Sequence, residues 1–149
     1  SSPRHTKDTY AHPMEQTARD FFDACETGKG WEACQQYCHA DAVFGGHADA
    51  LSPFTTLQAY ADWMRGIIAG PMPDARYELH AVATDAAKQA VMFYATFVAT
   101  NTGEGGPVNP TGKSCRSDYV YIISFKDGKV CGMKKVWNDV FAFKQLGWC

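Results

Sequence analysis

The chain has 149 residues, 46% hydrophobic and 13% aromatic, with a formal net charge of −2 and a pI near 6.2. This composition excludes a disordered chain, and a chain of this length can bury enough surface for one core and a pocket. Because Lys and Arg are scattered, we expect no nucleic-acid partner. With no apolar run near the roughly 18 residues that span a bilayer, and no signal-peptide pattern, we expect a cytoplasmic protein without membrane contact.

The first half of the chain has the pattern of helices. Residues 1–12 are polar and lack a period, so we predict a flexible tail, followed by a single domain over residues 13–149. An amphipathic helix is predicted from Pro13 to Thr27, with its apolar stripe facing a core. Two further helices are predicted over residues 31–37 and 56–69, the last ended by Gly70-Pro71.

The second half has the period of β-strands. Four runs rich in β-branched and aromatic residues predict strands over residues 76–84, 89–100, 114–125 and 129–140, and a shorter edge strand fits 42–45. Asp127-Gly128 is the strongest hairpin signal, since this dipeptide accepts the positive φ angles of a tight turn. Helices followed by long strands predict an α+β domain with an antiparallel meander.

Metal and cofactor sites are not indicated. The chain has six cysteines, which a core of this size does not need as disulfides, so reduced thiols are expected. Cys34, Cys38 and His39 lack the two further ligands of a zinc pattern. Motifs of serine hydrolases, zinc proteases and nucleotide-binding loops are absent from the sequence. We therefore expect no cofactor and no metal.

Several strings of the second half keep a common order and spacing: TNTGEGG at 100–106, PTGK at 110–113, FKDGKV at 125–130, WND at 137–139 and QLG at 145–147. Together they resemble the SnoaL-like polyketide cyclases, within the nuclear-transport-factor-2-like (cystatin-like) superfamily. The stretch at 37–44 is similar to the superfamily's entry into its first strand. The resemblance implies a strongly curved antiparallel sheet, a cone-shaped half barrel, wrapped around N-terminal helices with one internal pocket. It also implies a homodimer through the outer sheet face.

The same resemblance suggests candidate catalytic positions. The family's cyclases use a carboxylate on the last long strand as a general acid/base for an intramolecular aldol closure. An ungapped count puts Lys135 at that position, and a one-residue shift brings Asp139 nearer to it. In the related ketosteroid isomerases a strand-borne acid donates to an oxyanion, and Tyr121 matches it. The isomerase's proton-shuttling Asp is replaced by Gly45-Gly46-His47, which makes His47 a candidate.

Strand alternation extends this set. Tyr119 lies on the same face of its strand as Tyr121, and both are predicted to line the pocket. On the last strand Met133, Lys135, Trp137 and Asp139 share a face, where burial would lower the pKa of a lysine and raise that of a carboxylate. Two alternatives stay open: an exposed Lys135 on a solvated strand, and an Asp139 that merely caps a C-terminal helix.

The predicted function is therefore a pocket for a small, apolar, polyketide- or terpenoid-like molecule. Its enzymatic form would be a cofactor-free acid/base cyclase, isomerase, dehydratase or epoxide hydrolase. The alternative is a non-catalytic ligand-binding or dimerisation module of the same fold. The predicted catalytic residues are Asp139, Lys135, Tyr121 and His47. The predicted ligand-binding residues are Tyr119, Trp137, Met133 and Trp63, although Trp63 fits a core position equally well.

Overall fold

The computed structural model describes residues 12–149, so the tail predicted for residues 1–12 lies, apart from His12, outside the described residues. The described chain begins at the cap of the first helix. The His12 imidazole accepts a hydrogen bond from the Met14 amide, and Pro13 occupies the first helical turn, where its missing N–H is not needed. These two residues start the helix where the sequence predicts it.

Residues 12–149 form four α-helices and five strands. In chain order they are α1 (Pro13–Glu26), α2 (Gly30–Cys34), a 3₁₀ turn (Gln35–Tyr37), β1 (Cys38–Gly46), α3 (Leu57–Ala69), β2 (Arg76–Asp85), β3 (Ala90–Thr100), β4 (Ser114–Lys126), β5 (Lys129–Trp137) and α4 (Asp139–Leu146). Among these residues, no helix combines the length and the apolarity needed to cross a bilayer.

The strands form one curved sheet in the order β1-β5-β4-β3-β2, which confirms the predicted α+β fold. Strands β2 to β5 form the predicted antiparallel meander, and Asp127 and Gly128 take φ values of 51° and 78° in the β4–β5 turn. Strand β1 is longer than predicted and runs parallel to β5, so the sheet is mixed. The chain runs from β1 through α3 to β2 at the opposite edge of the sheet, so no hairpin joins β1 to its neighbour β5 and the two can pair in parallel.

Helix α1 packs inside the curve of the sheet. Its aromatic stripe points inward, and the Phe22 ring stacks on Phe93 with ring centroids 4.6 Å apart while meeting the edge of Tyr77. The helix contacts β2, β3 and β5, which lie on both sides of β4 in the strand order. The burial of this stripe against several strands is what holds α1 in the interior.

The last strand is shorter than the predicted run over 129–140. It ends at Trp137, because the Asn138 side chain accepts a hydrogen bond from the Phe141 amide and starts α4 as its N-cap. Asp139 is therefore the first residue of α4 rather than a strand residue. The predicted alternation of Asp139 with Lys135 and Trp137 is wrong for this reason.

Candidate functional site

Two neighbouring strands place the central side chains of the site. Tyr121 on β4 pairs with Lys135 on β5, and Tyr119 pairs with Trp137. Tyr119, Tyr121 and Lys135 are 2%, 0% and 7% exposed, whereas Lys134 is exposed. The alternation thus directs these side chains to the interior, but Tyr119 and Tyr121 lie in the hydrophobic core and, unlike Lys135, line neither the apolar pocket nor the cleft, contrary to their predicted place in a pocket wall. The alternative of a solvent-exposed Lys135 does not hold.

A buried carboxylate that the sequence analysis missed meets these tyrosines. Glu26, the last residue of α1, is 1% exposed. Tyr119 Oη donates to Glu26 Oε1 at 2.5 Å, and Tyr121 Oη donates to Glu26 Oε2. A signal for it was present in the sequence. Glu26 follows Phe22 by four residues and therefore continues the apolar stripe of α1, where an acid is exceptional.

Tyr60, which α3 projects into the same interior, links the tyrosines to the lysine. Its Oη is hydrogen-bonded to Tyr121 Oη, and Lys135 Nζ donates to Tyr60 Oη at 3.0 Å. With Glu26 ionised, Tyr121 must donate to the carboxylate and accept from Tyr60. The result is a chain with one direction, from the Lys135 ammonium through two phenols to a carboxylate, which we call the proton chain (Lys135, Tyr60, Tyr121 and Glu26).

Aromatic rings surround the amine at the end of this chain. Lys135 Nζ lies 4.4 Å from the centroid of the Trp137 ring and 5.1, 5.3 and 5.8 Å from the rings of Tyr119, Tyr60 and Tyr121. The faces of such rings attract a cation. Among the described residues, Tyr60 is the one hydrogen-bond acceptor of Nζ, although an ammonium carries three donors.

Burial shifts the pKa values at the two ends of the chain toward each other. Desolvation lowers the pKa of Lys135 from 10.5 to about 8, against the opposing attraction of the Glu26 charge. Desolvation also raises the pKa of Glu26, against the favourable effects of Lys135 and the two tyrosine hydrogen bonds. Burial raises the pKa values of Tyr60 and Tyr121 as well, so both phenols stay neutral at physiological pH. The neutral and the charged forms of the Lys135–Glu26 pair are thereby brought closer in free energy.

Two spaces adjoin Lys135. One is an apolar pocket between α3, α4 and the sheet with about 30 Å³ of free interior, room for roughly one water molecule. The other is an open cleft of about 360 Å³ beside the ends of β1 and β5. Lys135 and Trp137 line both spaces. The pocket is further lined by Trp63, Met64, Phe97, Phe143, Leu146 and Trp148.

The architecture around this site also agrees with the comparison to known proteins. Residues 18–133 match the model of the SnoaL-like domain. The chain belongs to this family. No protein with a curated description matches the sequence significantly.

Solved structures share the fold of this SnoaL-like domain at low identity. AclR from Streptomyces galilaeus, a proposed hydroxylase, is 21% identical, with a TM-score of 0.72 over 91% of this chain and 85% of its own. IdmH from Streptomyces antibioticus, a proposed polyketide cyclase, is 20% identical, with a TM-score of 0.69 over 92% and 99%. An LEH-like epoxide hydrolase from M. tuberculosis is 13% identical, with a TM-score of 0.62 over 90% and 89%. At these identities the likeness establishes the fold alone.

The other predicted ligand-binding residues of the SnoaL-like domain fall into two groups. Met133 is buried in the core at 2% exposure. Trp137 and Trp63 are half-buried and line the apolar pocket, where the Trp137 indole donates to Ser117 Oγ at 3.0 Å. The Trp63 ring also packs on Tyr60, with centroids 5.8 Å apart. Both tryptophans are thus walls of the space next to Lys135.

The two remaining catalytic candidates stand apart from the proton chain. His47 is exposed and lines the cleft. Asp139 is buried, and its carboxylate accepts hydrogen bonds from the amides of Ala50 and Val140, both at 2.9 Å. Asp139 therefore ties the loop after β1 to the start of α4. The helix cap itself is made by the neighbouring Asn138.

No cluster of three or more His, Cys, Asp or Glu side chains that could hold a metal ion is found within residues 12–149. The polar groups that converge in the interior are a carboxylate, three phenols and one amine. Such a set can accept, donate and pass protons.

Proposed function

We propose that this SnoaL-like domain binds a small, largely apolar molecule against Lys135 and moves protons on it without a cofactor. The reaction class is cyclisation, isomerisation, dehydration or epoxide opening. The observation that carries the proposal is the proton chain, which ends at Lys135, a residue that lines both the cleft and the apolar pocket. The names of the two solved neighbours described as a cyclase and an epoxide hydrolase support this class.

The chain can supply either an acid or a base at one point. A shift of one proton along each of its three hydrogen bonds converts the Lys135 ammonium to an amine and the Glu26 carboxylate to a carboxylic acid. This exchange removes two charges from a low-dielectric interior, which offsets the unfavourable transfer from the more basic amine to the carboxylate. In its charged form Lys135 can protonate a leaving oxygen, and in its neutral form it can remove a proton next to a carbonyl.

The surroundings of Lys135 suit an apolar ligand. The cleft has a volume in the usual range for ligand sites, roughly 300 to 1,000 Å³. The pocket supplies the apolar and aromatic walls, including Trp63 and Phe97. Trp137 and Lys135 are the residues that the cleft and the pocket share, so a ligand in either space would adjoin them. Growth of the pocket beyond its present free volume requires movement of aromatic side chains in its wall, such as Trp148.

The test uses 2-tetralone, an apolar bicyclic ketone whose protons next to the carbonyl exchange with solvent. In D₂O we expect the protein to accelerate this exchange, followed by proton NMR, by about 100-fold or more over buffer, as positioned general acid/base groups do. Lys135→Met should abolish the acceleration, and Lys129→Met, at an exposed position of β5 that lines neither the pocket nor the cleft, should keep it. Binding without acceleration would support a non-catalytic ligand-binding module instead. Absence of any binding to this and to related apolar ketones would overturn the proposal.

A further inference from the structure

The surroundings of Lys135 Nζ suit covalent chemistry as well as proton transfer. Lys135 lines both the cleft and the apolar pocket, and its nitrogen lies 4.4 Å from the centroid of the Trp137 ring, which also lines both spaces. A single hydrogen bond, to Tyr60, engages this nitrogen among the described residues. An amine held in an apolar site with few hydrogen-bond partners has the environment of lysines that form Schiff bases.

We propose that Lys135 is a nucleophile that forms a reversible imine with an apolar ketone or aldehyde bound in the cleft. This inference rests on the proposed function, since it uses the same pocket and proton chain, and it narrows the substrate class to carbonyl compounds. Lys135 Nζ adds to the carbonyl carbon, and the resulting carbinolamine loses its oxygen as water.

The atoms and protons of this step balance within the proton chain. A neutral Lys135 amine, a protonated Glu26 and the ketone give a protonated imine, a Glu26 carboxylate and one water molecule. The proton stored on Glu26 returns through Tyr121 and Tyr60, and Tyr60 Oη, 3.0 Å from the nitrogen, would donate it to the departing oxygen. No oxidant or reductant is required.

The product of this step is a cation at the position that the ammonium occupies. The four rings within 4.4 to 5.8 Å of Nζ, from Trp137, Tyr119, Tyr60 and Tyr121, stabilise a protonated imine as they stabilise an ammonium. The protonated imine in turn makes the neighbouring C–H bonds more acidic than those of the free ketone. Imine formation would therefore serve the same proton-transfer reactions.

Desolvation favours a neutral Lys135 amine near neutral pH, against the attraction of the titratable groups that face it. They are Glu26 and Cys25 from α1, Tyr60 from α3, and Tyr119 and Tyr121 from β4. Among these, Glu26 carries the charge, and burial outweighs its attraction so that the pKa of Lys135 falls to about 8. At pH 7 such a lysine holds on the order of 100 times more neutral amine than an ordinary lysine.

Two measurements on the intact protein test the imine. In H₂¹⁸O, 2-tetralone should incorporate ¹⁸O at its carbonyl at least about tenfold faster with wild-type protein than with Lys135→Arg, which keeps the charge but forms no imine. Borohydride added to the protein–tetralone mixture should trap a reduced adduct. Peptide mass spectrometry should then locate it on Lys135 with at least tenfold greater occupancy than on the exposed Lys134.

The outcomes separate the two proposals. If the protein accelerates C–H exchange but ¹⁸O incorporation is equal in wild type and Lys135→Arg, the imine is overturned. Acid/base catalysis would then remain as the explanation of the exchange. If the wild-type protein neither binds 2-tetralone nor accelerates its C–H exchange, the proposed function itself is overturned. If Lys135→Arg fails to fold, as judged by circular dichroism, the adduct map of the wild-type protein decides. Adducts spread over surface lysines with Lys135 unmodified overturn the imine.

Discussion

Glu26 and Lys135 are opposite charges buried in one core, yet they are joined through Tyr121 and Tyr60 rather than by direct contact. The three ion pairs found among residues 12–149 all involve arginine and lie at least partly exposed. In the interior, two phenols separate the carboxylate from the amine and connect them by hydrogen bonds. Glu26 and Lys135 are therefore better placed to exchange a proton than to form a direct salt bridge.

The Glu26 carboxylate should make folding stability depend on pH. Burial raises its pKa above the unfolded value of 4.5, so its contribution to stability is fully present below that value and is lost as pH rises through the folded pKa. In urea denaturation, wild type should therefore lose stability relative to Glu26→Gln as pH rises above 4.5. A constant difference between the two proteins across this range would contradict the raised pKa.

A matched variant separates charge from packing at Glu26. Glu26→Ala removes the acceptor of both Tyr119 and Tyr121 and leaves a cavity, so it should cost about 2–4 kcal/mol below pH 4.5 and less as pH rises through the folded pKa of Glu26. Glu26→Gln keeps the volume and should cost less than Glu26→Ala throughout. Equal losses for both variants would mean that the carboxylate shape, and with it the hydrogen-bond geometry, is unimportant.

Lys135 should have the opposite pH dependence. Its folded pKa is lowered from 10.5 to about 8, so its stabilising contribution is fully present above the unfolded value and is lost as pH falls through about 8. Wild type should gain stability relative to Lys135→Met as pH rises from about 7 to about 10, by up to roughly 3 kcal/mol. The stability of Lys134→Met, which changes an exposed lysine, is the control, because any pH dependence caused by other titrating groups appears in this variant as well.

The tyrosines should differ in function although they resemble one another in burial. Tyr60→Phe and Tyr121→Phe each interrupt the proton chain. Tyr119→Phe removes a hydroxyl that donates to Glu26 but is not part of the proton chain. Each variant should lose about 0.5–1.5 kcal/mol of stability, typical of one hydrogen bond. We expect the exchange of tetralone protons to fall steeply for the first two variants and to persist for Tyr119→Phe. Equal losses of exchange in all three would argue against a directional chain.

Asp139 should act on structure rather than on proton transfer. An amide in Asp139→Asn can replace one carboxylate oxygen as acceptor but not both, so the bond to the Ala50 or the Val140 amide is lost. We expect a decrease of about 1 kcal/mol in stability by thermal denaturation. Proton exchange on tetralone should be unchanged. A loss of exchange with stability intact would instead restore Asp139 as the acid/base group.

The outer face of the sheet should form a homodimer. Tyr94, Val120 and Val136 are paired in register across β3, β4 and β5, and Tyr94 and Val136 are 42% and 60% exposed. A row of apolar side chains across three strands is typical of a contact surface. Sedimentation should give about twice the chain mass of 16.4 kDa, and Val120→Lys should shift it toward the monomer. A wild-type monomer at micromolar concentration would exclude this interface.

Local patterns in the sequence were sufficient to predict the helices and strands and the direction of many side chains. A period of two decides that Tyr119 and Tyr121 share a face, and Asp127-Gly128 specifies the turn that brings β5 back along β4. Together they place Tyr121 and Lys135 on the same inner surface. These features could be predicted because each depends on neighbours along the chain.

The tertiary structure alone decided which groups meet. Glu26 and Tyr121 are 95 positions apart, and their hydrogen bond exists because α1 enters the curve of the sheet to a depth set by many packing contacts. The length of β5 depended on whether Asn138 would cap a helix, which moved Asp139 off the inner face. The burial of Lys135, its ring environment and its lowered pKa result from the sum of contacts with α1, α3 and β4. A sequence pattern describes the surroundings of a residue along the chain, whereas desolvation and hydrogen bonding depend on its surroundings in space.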